Sequence, residues 1–165
     1  MEESILKKLN GKNNDEISSA LWVLLHTPGK SKYLKQIIPH LNNKVTDVRL
    51  PATMVIATIK DPKTLPYLEK LLEDNNEHIR IEAALALAKY KDIRCYQILK
   101  EIIEKDHKDH SFHKRAIEAL GKFNDKDLLP IFKIGLFHRR KASRYKFSDN
   151  WEHLTGLGGS SNDNI

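Results

Sequence analysis

The sequence predicts an all-α fold, an α-solenoid of about four antiparallel helix hairpins. Two observations lead there. A helical block rich in alanine and branched apolar residues recurs along the chain at nearly constant spacing. The punctuation of a multi-turn β architecture is scarce, with 7 glycines and 6 prolines in 165 residues. A composition that is 40% hydrophobic and 30% charged supplies the apolar stripes and solvated faces of packed helices.

The clearest copy of the block is Ile79–Asp92, read as IRIEAALALAKYKD. Val48–Asp61 echoes it 31 residues upstream, and Phe112–Asp125 echoes it 33 residues downstream. Each copy is followed by a second apolar-periodic run, at Leu65–Leu72, Tyr96–Ile103 and Leu128–Phe137. A fainter copy precedes them, with helices expected over Asp15–His26 and Ser31–Leu41 and a break at Thr27-Pro28-Gly29. Glu3–Leu9 reads as a half-repeat cap. The expected solenoid spans 1–147, with units at 13–42, 43–74, 75–106 and 107–138, an N-terminal cap at 1–12 and a basic C-terminal cap at 139–147. The tail at 148–165 is rich in Gly, Ser and Asn toward its end and is expected to be partly disordered.

One hairpin cannot bury its own apolar faces, whereas stacked hairpins share a continuous core. Ile17, Leu21, Leu24 and Leu25 fall on one helical face, as do Leu68, Leu71 and Leu72 on another. Alanines 83, 84, 86 and 88 remove bulk where helices must approach closely. Asn42-Asn43, Asn75-Asn76 and the stretch Asp106–Asp109 mark polar joints between units.

The blocks resemble HEAT repeats of the short, phycobilisome-lyase-like type. The resemblance rests on Asp47-Val48-Arg49, on the 79–92 block and on Asp61, Asp92 and Asp125, and it covers residues 13–138. It implies a HEAT-like superhelix and a ladder between units formed by Arg49, Arg80, Asp61 and Asp92. It also implies a concave surface lined by second helices, with Lys35, Glu69, Lys100 and Lys133 in one column and Gln36, Lys70, Glu101 and Ile134 in the next. A HEAT family of iron hydroxylases is similar in fold and uses His-Glu pairs at the start of repeat helices. The matching slots here hold Leu50-Pro51, Ile81-Glu82 and Lys114-Arg115, so that activity is not carried over.

Other chemistry is thinly supported. His107, His110 and His113 are spaced by three with Asp106 and Asp109 between them, but residues six apart on a helix do not share a face, so no metal site and no cofactor are expected. Gly29-Lys30-Ser31 lacks the earlier glycine of a phosphate loop. Cys95 is the only cysteine, which excludes an internal disulfide. Early charges at Glu2, Glu3, Lys7 and Lys8 interrupt any signal-peptide core, and no apolar run approaches the roughly 18 residues of a membrane span. A cytoplasmic location is the expectation.

The net charge of +6 is concentrated. Leu128–Phe147 contains no acid and six cations, and the rest of the chain is balanced. Lys133, Arg139, Arg140, Lys141, Arg144, Tyr145 and Trp151 interleave cations with aromatics and form the expected partner-binding set. The function expected on these grounds is a non-catalytic protein-interaction module, an adaptor, assembly factor or immunity-type inhibitor, for an acidic protein partner, with no small-molecule substrate. Nucleic-acid binding through the basic segment is the first alternative and a bilin-lyase-like enzyme the second.

Overall fold

The computed structural model describes residues 2–104 and 110–123. Eight α-helices occur among them: α1 (Glu2–Leu9), α2 (Asn14–Leu25), α3 (Leu34–Ile37), α4 (Thr46–Thr58), α5 (Leu65–Leu71), α6 (Glu77–Ala88), α7 (Tyr96–Glu104) and α8 (His110–Leu120). Short 3-10 turns lead into α3, α5 and α7, and no strand occurs among the described residues. The fold class is the all-α solenoid class read from the sequence. The chain divides into two compact units, Met1–Ile98 and Leu99–Ile165, with the boundary inside α7.

In the first unit α2 packs on α4, α4 on α6, and α5 on α6. The helices start where the sequence offers caps. Asn13 Oδ1 accepts the amides of Asp15 (2.9 Å) and Glu16 (3.4 Å) at the start of α2. Asn76 Oδ1 accepts the Ile79 amide (3.2 Å) at the start of α6. Ile17, Leu21 and Leu24 are buried on α2 and Leu68 and Leu71 on α5, as the periodicity requires, while Leu25 and Leu72 are half-buried. Every residue of α6 from Ile81 to Ala88 is buried, so its alanines serve close packing against α4 and α5.

α6 ends in a turn that puts Lys91 in the left-handed region, at φ 57°. The Lys91 amide donates to the Ala88 carbonyl (3.0 Å) and the Asp92 amide to the Leu87 carbonyl (3.3 Å), the pairing of a Schellman cap whose left-handed position favours glycine. The stretch expected as one helix over Ser31–Leu41 is instead a 3-10 turn, the short α3, and a second 3-10 segment at Ile38–Asn42. Pro39 lacks the amide that would bond the carbonyl of Lys35, which denies the segment a continuous α ladder. His40 is buried there, and its Nε2 donates to the Leu9 carbonyl at 2.9 Å, which satisfies the end of α1.

The interunit polar frame is real, but its partners differ from the expected ladder. Arg49 and Asp74 form a bidentate pair, Nε to Oδ2 at 2.9 Å and Nη2 to Oδ1 at 3.1 Å, with both side chains only 9% exposed. Arg49 also donates to the carbonyls of Asn43 (2.8 Å) and Lys44 (3.1 Å) and to Asn75 Oδ1 (2.8 Å). Arg80 Nη1 donates to the Asp74 carbonyl at 2.7 Å. Asp61 and Asp92 do not join this network; each caps the 3-10 turn of its own hairpin, accepting the amide two residues on at 2.9 and 3.0 Å. An aspartate that can satisfy a local amide is held there by a short loop, whereas a cross-unit bond must order two segments.

Burial alone would raise the Asp74 carboxyl, but hydrogen bonds from Arg49 and the Asn76 amide, with the charges of Arg49 and Arg80, hold it below its ordinary value. Because the group titrates lower folded than unfolded, its stabilisation is complete above about pH 3.9 and is lost as pH falls through the lower folded value. Asp74→Asn should destabilise the chain by about 3 kcal/mol at neutral pH, since it strands the Arg49 charge. Urea unfolding curves from pH 7 to pH 3 measure this, and the penalty should shrink toward the acid end. Lys91→Gly should raise stability by about 0.5–1 kcal/mol in the same assay by relieving the left-handed turn; a loss would show that the Lys91 side chain contributes more than its backbone costs.

Candidate recognition groove

Between α2 and α4 lies an open groove of about 410 Å³. Its α2 wall carries Asp15, Ser18 and Trp22, spaced at helical positions i, i+3 and i+7 and so aligned on one face. Its α4 wall carries Asp47 and Pro51, with Val45 at the entry to the helix. Trp22 is 43% exposed and Val45 38%, and Val23 beside Trp22 is 50% exposed. A half-exposed indole over a groove is apolar area that packing has left uncovered.

The α4 wall of the groove contains a helix defect. Pro51 stands inside α4 and has no amide for the carbonyl of Asp47. That carbonyl instead accepts the Ser18 hydroxyl of α2 at 2.7 Å. One side chain thus compensates the proline and fastens the two walls together. Asp15 and Asp47 place a carboxylate on each wall, neither within ion-pair distance of a cation among the described residues, and no Lys or Arg lines the groove.

The sequence-expected sites fall elsewhere. Lys133, Arg139, Arg140, Lys141, Arg144, Tyr145 and Trp151 lie outside the described residues, as does His107. His110 opens α8, and His113 is buried on that helix. Among the described residues no three His, Cys, Asp or Glu side chains come together as a metal-binding group. In the expected concave columns Glu69 pairs with Arg94 at 2.5 Å and Lys100 with Glu104 at 3.7 Å. Cys95 is fully buried, and burial together with the neighbouring Asp92 charge pushes its thiol up to about 12, so it stays protonated and inert at neutral pH. Sequence reading missed Trp22, Ser18 and Pro51; the available signal was a proline at the slot where the other blocks carry Glu82 and Arg115.

Residues 34–110 match the family of HEAT repeats. Over those residues the chain carries HEAT repeats. The chain is 28% identical to Protein YibA of Escherichia coli (strain K12), over 66% of this chain and 46% of that protein. It is 31% identical to a deoxyhypusine hydroxylase of Candida albicans over 43% of this chain and 22% of the relative, and 28% identical to the Debaryomyces hansenii enzyme of the same name over 43% and 23%. It spans less than half the length of the curated relatives it matches.

The two hydroxylases correct the functional expectation. Their similarity overturns the reading of this chain as a non-catalytic adaptor, assembly factor or inhibitor for an acidic partner, because the same repeats build enzymes. Repeat architecture does not separate binders from catalysts; only particular side chains do. The slots that correspond to the His-Glu pairs of hydroxylase type hold no such pair in this fold. Ile81 is 1% exposed within the core of α6, beside the buried Glu82. Pro51 is buried at the equivalent position of α4, and Lys114 and Arg115 are exposed on α8. These positions do not fit a metal ion.

No helix among the described residues is long and apolar enough to cross a membrane. The Ser18–Pro51 arrangement is testable as a coupled pair. Ser18→Ala should cost about 1 kcal/mol by leaving the Asp47 carbonyl without its protein donor. In a Pro51→Ala background, where an amide is restored to that carbonyl, the same change should cost markedly less in a double-mutant cycle of urea unfolding. Equal costs in both backgrounds would sink this account of the groove.

Proposed function

We propose that this chain recognises a polypeptide, through the α2–α4 groove, as part of a HEAT-repeat protein related to enzymes. HEAT repeats generally mediate protein interactions. The observation that carries the reading is Trp22, an indole held nearly half exposed at the edge of a groove whose walls are pinned by Ser18 and the Asp47 carbonyl. Aromatic side chains on rigid elements are the usual anchors of protein contacts, and walls fixed before binding reduce the ordering cost.

The relation to the hydroxylases favours a second reading, in which the held polypeptide is also modified. The slots that resemble the hydroxylase positions do not support it within the described repeats, where Ile81 is committed to the core. Metal analysis of the full purified chain separates the two readings. Stoichiometric iron would carry the second, and a metal-free chain that binds peptide would carry the first.

Selection of a displayed random peptide library on the full chain tests recognition directly. Selected peptides, synthesised and titrated, should lose about 2 kcal/mol of affinity on Trp22→Ala. The variant's thermal unfolding should stay close to that of the parent, because the indole is far from fully buried. Peptides that bind the variant and the parent equally would remove the groove from the function.

A further inference from the structure

The groove discriminates by charge as well as by shape. Two of its polar side chains are carboxylates, Asp15 on the α2 wall and Asp47 on the α4 wall, and no cation lines it among the described residues. Neither carboxylate forms an ion pair among the described residues. Between them lie apolar surfaces, Trp22 from one helix and Val45 from the approach to the other. The +6 net charge of the chain is concentrated in Leu128–Phe147, and the remainder, to which the groove belongs, is balanced.

We infer that the groove takes a lysine or arginine side chain presented by a polypeptide partner. This rests on the reading that the groove binds a polypeptide, and it names the residue class that is read. A long cationic side chain matches both components of the walls. Its aliphatic stem lies along Val45 and the indole, and its charged end reaches the carboxylates. The indole face also attracts a cation directly. An acidic segment would meet two uncompensated negative charges, and a purely apolar one would desolvate them without a partner. The Ser18 bond to the Asp47 backbone holds the α4 carboxylate's position in register with α2, so both charges face the same occupant.

The same displayed random peptide library provides the test, followed by synthetic peptides and their Lys→Gln or Arg→Gln variants. Groove-dependent peptides, defined as those whose binding Trp22→Ala weakens, should share a Lys or Arg. Neutralising that residue should weaken binding about tenfold, as should the double change Asp15→Asn with Asp47→Asn, and raised salt should weaken the parent complex alone. Both aspartates are exposed first-turn residues, so the double variant should retain its helical circular dichroism with an unfolding midpoint lowered by only a few degrees, and Trp22→Ala provides the binding-dead control. Groove-dependent peptides without a basic residue, or with binding indifferent to the two aspartates, would overturn the cationic inference and leave polypeptide recognition standing. If Trp22→Ala weakens none of the selected peptides, both fall together.

Discussion

The Arg49 guanidinium is the constraint on which the described repeats depend. Every one of its nitrogens is engaged: Nε with Asp74, Nη1 with the Asn43 and Lys44 carbonyls, and Nη2 with Asp74 and Asn75. Its contacts span two joints, the one before α4 and the one before α6, and both joints aim the first helix of a hairpin. One planar fork therefore ties the start of α4 to the joint that precedes α6. Burying a charge is unfavourable unless charge and hydrogen bonds compensate it, and here both do. A lysine could replace the charge but not the fork, because an ammonium presents a point of charge where Arg49 presents donors in a fixed plane.

Around that frame, differences between the repeats decide what each surface can do. α6 is alanine-rich and buried over its last eight residues, so it presents little side chain to a partner. α4 occupies the equivalent place in the preceding repeat but carries Pro51, and the missing amide propagates outward. It frees a carbonyl, which accepts the Ser18 hydroxyl of α2 beside the groove that Trp22 edges. The groove thus coincides with one departure from the repeated pattern. A shared repeat frame is compatible with relatives of different kinds, because particular side chains and not the frame decide function.

The periodic part of this structure was legible in the sequence because burial leaves a spacing. The 79–92 block and its echoes located α4, α6 and α8, and the alanines of α6 are buried as close packing requires. The second helix of the first hairpin was misread as continuous, since periodicity over Ser31–Leu41 cannot register that Pro39 removes an amide. The Arg frame was half legible. Arg49 and Arg80 stood out by recurrence, but their shared partner Asp74 sits in a joint outside the repeated block, while the recurring Asp61 and Asp92 turned out to cap their own turns. The groove left no periodic trace, because a proline in α4 and a serine in α2 become partners only once the helices pack.

The contrast with the hydroxylase pattern shows how packing can fix such a departure. At the start of α6 the slot that resembles a His-Glu pair holds Ile81 and Glu82, and Ile81 is among the largest fully buried side chains of the chain. An imidazole there would exchange apolar contacts for a polar ring needing hydrogen-bond partners that the surrounding leucines, isoleucines and alanines do not offer. The isoleucine is therefore not a neutral surface change that one substitution could reverse; it is part of the core that holds α6 against α4 and α5. In this chain the repeat that most closely keeps the shared pattern has committed the relevant position to stability. The neighbouring repeat, whose helix lost an amide to Pro51, has an open surface in its place, and that surface is where specific recognition can reside.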